Sequence, residues 1–391
     1  MNLLIDAHIF DEPHQGSRTY LKGLYRELVK LMPHTSFFFV LYNLENLRTE
    51  IGDHSNVHFV QLKQRKFLRL LIEVPFLIWK LQIDYAHFQY ISPPFKNCKH
   101  IVTIHDVLFK DFKKLFPLKY RILNNLLFKI SARRADMLLT VSEYSRQRIA
   151  KHYKIPVGKI GITPNGISSE FLTGDSRVTC TELKSKYNVD QFILYVSRIE
   201  PRKNHLLLLK AFSELRLWER NYKLIFIGKK DFLYGDLDEF LENCPEECRR
   251  STVMLQNIDN SELLTFYKNA SLFIYPSLAE GFGIPPIEAI SAGTTTLCSN
   301  TTAMSDFTFL EADLFDPTNI QELKAKILHK LSHPNDLSRI MKLKQVVEEK
   351  YSWDRSAKTF VSILKNNQTK LKVQAIQPGT SDSSENNDSE N

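Results

Sequence analysis

The chain has 391 residues, of which 43% are hydrophobic and 25% charged. This composition excludes a fibrous or wholly disordered protein and suits a globular protein with two domains. Five cysteines in irregular positions argue against a disulfide framework and favour a reducing compartment. The formal net charge is +8, and the first half is the basic one, since residues 1–170 hold 25 Lys and Arg against 14 Asp and Glu.

The first residues indicate where the protein resides. Met1 is followed almost at once by the apolar run Leu3-Leu4-Ile5 with no basic leader, so we expect no signal peptide. No stretch reaches the ~18 to 20 uninterrupted apolar residues of a membrane-spanning helix. We therefore predict a cytoplasmic protein, either free in the cytosol or peripheral on the cytoplasmic face of the membrane.

Short apolar runs alternate with helical patterns along the first half. The runs predict strands at residues 2–7, 37–42, 57–62, 101–104, 137–141 and 162–167. Such β–α alternation is typical of a parallel, doubly wound sheet. A loop containing Gly16 follows the first strand and precedes a helix predicted over 17–31. This loop lacks the pattern GxGxxG, so it is not a dinucleotide-binding fingerprint.

Residues 63–134 form a basic region that holds 15 Lys and Arg against 4 Asp and Glu, with apolar residues between them. It has two interpretations that the sequence leaves open. A basic amphipathic helix can lie on an anionic membrane surface, or the apolar residues belong to the core and the lysines face water. Nucleic acid is disfavoured as a partner, because no recognised nucleic-acid motif accompanies the charge.

Two loops that follow predicted strands contain candidate catalytic or substrate-binding residues. His105 follows the strand 101–104, where a histidine can meet a substrate as an acid, a base or a hydrogen-bond donor. Arg198 and Lys203 lie in the loop SRIEPRKN after the strand predicted at 191–196. Two cations between a strand and a helix suit a diphosphate, to which arginine can bind with two hydrogen bonds.

The stretch 271–298, SLFIYPSLAEGFGIPPIEAISAGTTTLC, contains two predicted strands with one short helix between them. Pro285 and Pro286 mark the start of this helix and Gly293 its end. The loop 280–284 therefore lies at the end of a strand and the beginning of a helix, where free amides favour an anion. Glu280 and Glu288 can point to the same crevice from different elements.

The string EGFGIPPIEAISAG resembles the Glu-x7-Glu signature of the retaining glycosyltransferases of family 4, also called group 1, which have the two-domain GT-B fold. The resemblance implies that Glu280 contacts the transferred sugar and that Glu288 binds ribose hydroxyls. It also implies that the amides of Phe282, Gly283 and Ile284 contact sugar or phosphate.

The resemblance extends to other parts of the chain. It implies that Arg198 and Lys203 neutralise a leaving diphosphate, although Ser197 replaces the glycine that is common before the arginine and Arg202 makes the register uncertain. His105 corresponds to a histidine near the donor sugar. Further donor contacts implied by the resemblance are a backbone amide near Gly16 and a base pocket that includes Gly228 and Ile258.

The same resemblance implies a domain plan. The expected fold class is α/β, with two Rossmann-like doubly wound sheets facing a cleft: an acceptor domain over residues 1–170 and a nucleotide-sugar donor domain over 171–352. A helix over 353–365 would cross back to the first domain. We predict a disordered tail over 366–391 from its polar composition.

The predicted function is transfer of a hexose, with mannose favoured, from a nucleoside diphosphate sugar to a glycan or lipid-linked acceptor in cell-surface polysaccharide biosynthesis. We expect no metal and no cofactor, because Arg198 and Lys203 supply positive charge and the pair Asp236 and Asp238 opens a predicted solvated helix. The alternatives are a sugar-nucleotide epimerase or a sugar phosphorylase on the same fold, or an idle subunit that only binds a partner.

Overall fold

A computed structural model describes residues 1–11, 16–63, 68–173, 176–230 and 234–376. Within these ranges seven strands form a first sheet: β1 Asn2–Asp6, β2 Ser36–Leu41, β3 Val57–Gln61, β4 Tyr85–Gln89, β5 Lys99–Thr103, β6 Met137–Thr140 and β7 Ile160–Ile162. Six form a second: β8 Gln191–Val196, β9 Tyr222–Ile227, β10 Thr252–Leu255, β11 Leu272–Tyr275, β12 Thr296–Ser299 and β13 Leu314–Phe315.

The helices fill the connections between strands. They are α1 Gly16–Leu31, α2 Glu45–Ile51, α3 Val74–Lys80, α4 Leu108–Asp111, α5 Leu118–Arg134, α6 Glu143–Tyr153, α7 Ser169–Thr173, α8 Cys180–Tyr187, α9 His205–Glu214, α10 Gly235–Asn243, α11 Glu246–Arg250, α12 Asn260–Asn269, α13 Ile284–Ser291, α14 Ile320–Ser332, α15 Leu337–Lys350 and α16 Trp353–Ile376. Among the helices described, none has the length and apolarity needed to cross a bilayer.

Both sheets are parallel, with strand orders β3-β2-β1-β4-β5-β6-β7 and β10-β9-β8-β11-β12-β13. The predicted pair of doubly wound sheets is therefore confirmed. In each sheet the order reverses beside the first strand, between β1 and β4 and between β8 and β11. Ligand crevices of such sheets open at the carboxyl ends of the strands beside this reversal.

The strands are apolar on both sides because helices cover both faces of each sheet. In β1, Leu3 and Ile5 pack into the core under α1, whereas Leu4 packs on the opposite face with the core under α3. The apolar run that predicted this strand thus contributes side chains to two hydrophobic cores, one on each face of the sheet. Strand β4 did not emerge from the sequence pattern, since its polar His87 and Gln89 interrupt the apolar run although both are buried.

The last helix packs against the first sheet's helical layer. Trp353 lies against α1 at Gly23, where an added Cβ would be 2.0 Å from the indole Cε2. Ser356 Oγ donates a hydrogen bond to the Pro164 carbonyl at 2.7 Å. The helix continues past residue 365 to Ile376, so the chain is helical for longer than we predicted. The rest of the predicted tail, from residue 377, lies outside the described residues.

Candidate active site

A cleft of about 520 Å³ lies between the carboxyl ends of the two sheets. Its walls come from the segments after β1, β4, β5, β6 and β7 on one side and from loops after β8 and β11 on the other. Of the residues predicted from sequence, the cleft brings together Gly16, His105, Arg198, Lys203, Glu280, Phe282, Gly283, Ile284 and Glu288.

The loop after β11 forms the floor of this cleft. It passes through Gly283, which has φ of +98°, a left-handed conformation that glycine adopts without a steric cost. Helix α13 then begins at Ile284 with Pro285 in its first turn and without a side-chain cap. Pro285 and Pro286 have no N–H, so the amides of Gly283 and Ile284, together with the helix dipole, present positive partial charge to a ligand in the cleft.

The Glu280 carboxylate is buried at the centre of the floor, with 8% of the residue exposed. Its Oε1 accepts hydrogen bonds from Lys203 Nζ at 2.5 Å, Ser277 Oγ at 2.7 Å and Tyr275 OH at 2.9 Å. Arg202 NH1 donates to Oε2 at 3.1 Å. The backbone amide of Glu280 donates to Thr302 Oγ1 at 2.9 Å, so both the side chain and the backbone of this residue are fixed.

Charge pairing outweighs burial at this carboxylate. Burial by itself raises the pKa of Glu280, but the positive charges of Lys203 and Arg202 hold it at about 2. Burial lowers the pKa of Lys203, an effect that Glu280 opposes. Burial likewise lowers the pKa of Arg202, but Glu280 and Glu200 raise it above its ordinary value. The floor thus holds a carboxylate and two fixed cations.

Arg202 is the residue of this cluster that the sequence interpretation did not select. We named Arg198 and Lys203, and both line the cleft; Arg202 lines it too and donates a hydrogen bond to Glu280. Pro201–Lys203 form one 3₁₀ turn, so neighbouring residues reach the same carboxylate. In the sequence, the position of Arg202 next to Lys203 was the signal for its role, but it did not show which of the two arginines acts together with Lys203.

Glu288 occupies the second turn of α13 and lines the same cleft. Its Oε2 accepts a hydrogen bond from Tyr267 OH at 3.0 Å. Burial raises the pKa of Glu288 to about 7, and the hydrogen bond from Tyr267 only partly opposes this shift. The two glutamates therefore differ, because Glu280 is firmly ionised and Glu288 titrates near neutral pH.

His105 lies on the opposite wall and is neutral near pH 7, because burial lowers its pKa to about 3. Its Nε2 donates to Gln89 Oε1 at 2.7 Å, and its ring contacts Tyr20 and Tyr90 with centroid distances of 5.0 and 5.3 Å. Gln89 also contacts His87 Nε2 at 3.3 Å. The unpredicted strand β4 therefore orients the histidine.

Gly228 and Ile258 lie outside the lining of the cleft. Gly228 follows β9, and a Cβ at this position would lie 1.9 Å from the Ser197 carbonyl oxygen. The glycine therefore allows the loops after β8 and β9 to approach each other. Ile258 follows β10 and packs partly buried against the core. A role for these two residues in base binding stays a prediction.

The two halves of the cleft touch at Gly281. Its carbonyl accepts hydrogen bonds from Ser142 Oγ at 2.7 Å and Ser145 Oγ at 3.1 Å, both at the beginning of α6. An added Cβ at Gly281 would lie 2.8 Å from Cβ of Asp106. Nearby, Asp306 accepts a hydrogen bond from the Tyr144 amide at 3.1 Å. The cleft is therefore closed at this end by contacts between the sheets' loops.

Potential metal ligands can be located only among the residues that the structure describes. Within the described ranges, His, Cys, Asp and Glu side chains form no cluster of three suited to an ion. Asp236 and Asp238 lie in the first turn of α10, and Asp238 pairs with Lys230.

Two family models match the chain. The model described as Glycosyltransferase Family 4 matches residues 14–171, and that described as Glycosyl transferases group 1 matches residues 182–345. The first covers the first sheet except for strand β1, and the second covers the whole of the second sheet. Together they include both walls of the cleft.

Several named bacterial proteins are similar to this chain. O-antigen chain mannosyltransferase B of Escherichia coli is 30% identical over 65% of this chain and 67% of that protein. The serotype-specific mannosyltransferase WbdA of Escherichia coli is 28% identical over 57% of this chain, which spans only 28% of WbdA. The O-antigen chain mannosyltransferase RfbU of Salmonella typhimurium is 29% identical over 51% of each.

Solved structures share the architecture at low sequence identity. A glycosyltransferase from Rickettsia africae superposes with a TM-score of 0.70 at 17% identity, over 94% of this chain and 98% of that one. An Anabaena protein, HepE, in complex with UDP and glucose superposes with a TM-score of 0.68 at 15% identity, over 93% and 99%. At these identities the likeness concerns the fold.

Proposed function

This chain belongs to the group 1 glycosyltransferases and has the GT-B fold, and we propose that it transfers mannose from a nucleoside diphosphate sugar to a glycan or lipid-linked acceptor. Three similar proteins are named mannosyltransferases, two of them of the O-antigen chain. These names support mannose as the sugar and cell-surface polysaccharide biosynthesis as the process. HepE bound to UDP and glucose supports a nucleotide-sugar donor.

The observation that carries this proposal is the buried Glu280 carboxylate and its two cationic partners. Lys203 Nζ and Arg202 NH1 lie within 3.1 Å of the Glu280 carboxylate oxygens. Glu280 itself precedes α13, whose first turn has no side-chain cap. A diphosphate bound there would meet positive charge from both cations, from the Ile284 amide and from the dipole of α13. Fixed positive charge stabilises a leaving anion, because the groups need no reorganisation during the reaction.

The other cleft residues take complementary roles in this proposal. Arg198, on the wall beside the cations, adds charge for the diphosphate, and Glu288 accepts hydrogen bonds from ribose hydroxyls. His105 lies on the wall near the sugar and presents a neutral ring. Gly16, at the beginning of α1, brings backbone close to the phosphates. Such a constellation requires no metal ion for leaving-group stabilisation.

The reaction we propose retains the configuration of the anomeric carbon. The bond from that carbon to the diphosphate oxygen breaks, a bond to the acceptor hydroxyl oxygen forms on the same face, and the hydroxyl proton passes to the departing diphosphate oxygen. Three hydrogen bonds occupy Glu280 Oε1 and Arg202 donates one to Oε2, so both carboxylate oxygens are already engaged. This crowding favours a role for Glu280 in orienting the sugar and stabilising positive charge on it.

The test is release of nucleoside diphosphate in EDTA from GDP-mannose, UDP-glucose, UDP-N-acetylglucosamine and dTDP-rhamnose, with thermal shift measured in parallel. We expect one donor, GDP-mannose, to raise the melting temperature and to be hydrolysed slowly. An epimerase would change the sugar without releasing the diphosphate, and a phosphorylase would require inorganic phosphate. Absence of binding by every donor would support an idle binding subunit instead.

A further inference from the structure

The exposed apolar side chains of this protein are concentrated on one surface. Among the described residues, all the exposed large apolar side chains except Leu31, Leu337 and Met341 lie in residues 68–80, 90–98 or 118–134. We call the exposed side of these three segments the α3–α5 face. Contiguous apolar surface of this kind on a soluble protein marks an interaction site.

The apolar residues of α5 follow helical spacing on its outward side. Leu118, Ile122, Leu126 and Ile130 are spaced four residues apart and are 43% to 64% exposed. The inward side of the same helix is also apolar at Phe128. A helix that is apolar on both sides is typical of one that is covered on both sides, and here the protein covers only the inner side.

A second outward row lies on the neighbouring helical segment. Arg69–Glu73 form a π-helical stretch that runs directly into α3. Ile72, Phe76 and Trp79 project from this segment with 61%, 52% and 72% of each residue exposed. Tryptophan is favoured at the boundary between water and lipid, because its ring is amphipathic.

The two rows belong to one continuous surface. Phe88 of β4 and Val102 of β5 are paired neighbours on one side of the first sheet. Phe88 packs in the core under α3 and Val102 in the core under α5, so the two helices cover adjacent parts of the same side. The loop 90–98 lies between the helices: Asn97 donates to the Pro75 carbonyl at 2.9 Å, and Ser131 Oγ accepts from the Ser92 amide at 3.0 Å.

The charge on this face has one dominant sign. Helix α5 carries five basic residues and no acidic one, namely Lys119, Arg121, Lys129, Arg133 and Arg134. Acids near this face have partners of their own: Asp111 pairs with Arg148, and Glu73 Oε1 accepts from the Lys63 amide at 2.8 Å. Asp136, just after α5, pairs with Lys96 of the loop 90–98, so the excess positive charge of the face comes from α5. Apolar rows flanked by cations complement an anionic lipid surface.

We propose that the α3–α5 face docks on an anionic lipid bilayer and that the acceptor is anchored in that bilayer; the second clause rests on the proposed function. The face adjoins the cleft. Tyr90 lines the cleft and stacks on Phe128 of α5, with 4.7 Å between ring centroids. Tyr120 of α5 contacts Phe109, with 6.0 Å between ring centroids, and Phe109 lies in the same loop and helix start as the cleft residue Asp106. A lipid-anchored acceptor would therefore reach the cleft while the protein stays docked.

A second copy of the chain fits this face less well. A symmetric dimer through α5 would oppose its five cations with the same five cations, and like charges in contact repel. Nucleic acid would use the cations but gain little from aliphatic rows of leucine and isoleucine, which offer no surface for base stacking. A bilayer uses both features at once.

The test is cosedimentation of the full chain with vesicles made of equal parts of phosphatidylcholine and phosphatidylglycerol, and with vesicles of phosphatidylcholine alone. We expect binding to the anionic vesicles that weakens as salt is added. The double variant Ile122→Ser/Leu126→Ser should bind about tenfold more weakly, because it loses two inserted side chains. The matched control is Leu337→Ser/Met341→Ser, which removes an equally spaced exposed pair from α15 and should bind normally.

Charge is tested separately with Lys119→Gln/Lys129→Gln against Lys342→Gln/Lys344→Gln on α15. The first pair should weaken anionic-vesicle binding about tenfold, and the second should not. Equal losses in test and control variants, no binding of the wild-type chain, or a concentration-dependent dimer that the Ile122→Ser/Leu126→Ser change dissolves would overturn the proposal. Donor hydrolysis in EDTA separates the two ideas, since it reports on the transferase cleft whether or not vesicles bind.

Discussion

The Lys203 ammonium lies 2.5 Å from Glu280 Oε1, although 77 residues separate them in the chain. Both residues are largely buried, with 9% and 8% exposed. A buried ion pair is costly to break, because the remaining charge loses its partner in a poorly solvated site. The pair thus couples the stability of the second sheet to the arrangement of the cleft.

The Glu280→Gln variant should lose turnover by about 10²-fold or more, because the amide cannot stabilise positive charge on the sugar. Donor binding should persist, since the diphosphate contacts remain. The measurement is nucleoside diphosphate release alongside the donor-induced thermal shift. Glu242→Gln on α10, an exposed glutamate, is the control. Near-normal turnover of the Glu280 variant would remove this residue from the mechanism.

The Lys203→Met variant should lower the free energy of unfolding by about 3–5 kcal/mol, because the buried Glu280 carboxylate loses its closest cation. The double variant Lys203→Met/Glu280→Gln should lose less than the sum of the single variants. Urea unfolding of the four proteins in this cycle measures the coupling. Lys210→Met on α9 removes a partly exposed lysine outside the cleft. If the effects of the two cleft substitutions were additive, the pair would not be energetically coupled.

The pH dependence of stability should contain a contribution from Glu288. Burial raises its pKa from 4.5 to about 7, so the folded protein holds this proton more tightly than the unfolded chain does. The stabilising contribution is therefore complete below about pH 4.5 and is lost as the pH rises through about 7. Melting temperatures of wild type and Glu288→Gln should diverge over this window, with wild type losing more. Parallel curves would mean that Glu288 does not titrate there.

The Gly281→Ala variant should hinder closure of the cleft, because its Cβ would lie 2.8 Å from the Asp106 side chain. Overpacking of this kind costs about 1–3 kcal/mol, so we expect turnover to fall by about tenfold. Small-angle scattering should show a more open particle. Gly235→Ala is the matched control, since a Cβ there meets nothing within 4 Å. A compact and fully active Gly281→Ala enzyme would show that this contact is not needed for closure.

The sequence by itself determined the parallel architecture and the floor of the cleft. Runs such as residues 272–275 are apolar because helices cover both sides of each sheet, and that burial is visible in composition alone. Glu280, Gly283 and the start of α13 were also predictable, because a strand end, a glycine and a proline at a helix start act within a few residues of each other.

Only the tertiary structure decided which side chains meet. Arg202 donates to Glu280 across 78 residues of chain, and the sequence could not rank it against Arg198, since both lie in the same loop. The Gln89 contact that orients His105 was hidden because β4 carries polar residues that are satisfied only by the folded interior. Local pattern reports burial and backbone conformation, whereas contacts between distant loops depend on how the two sheets pack, which no short window of sequence records.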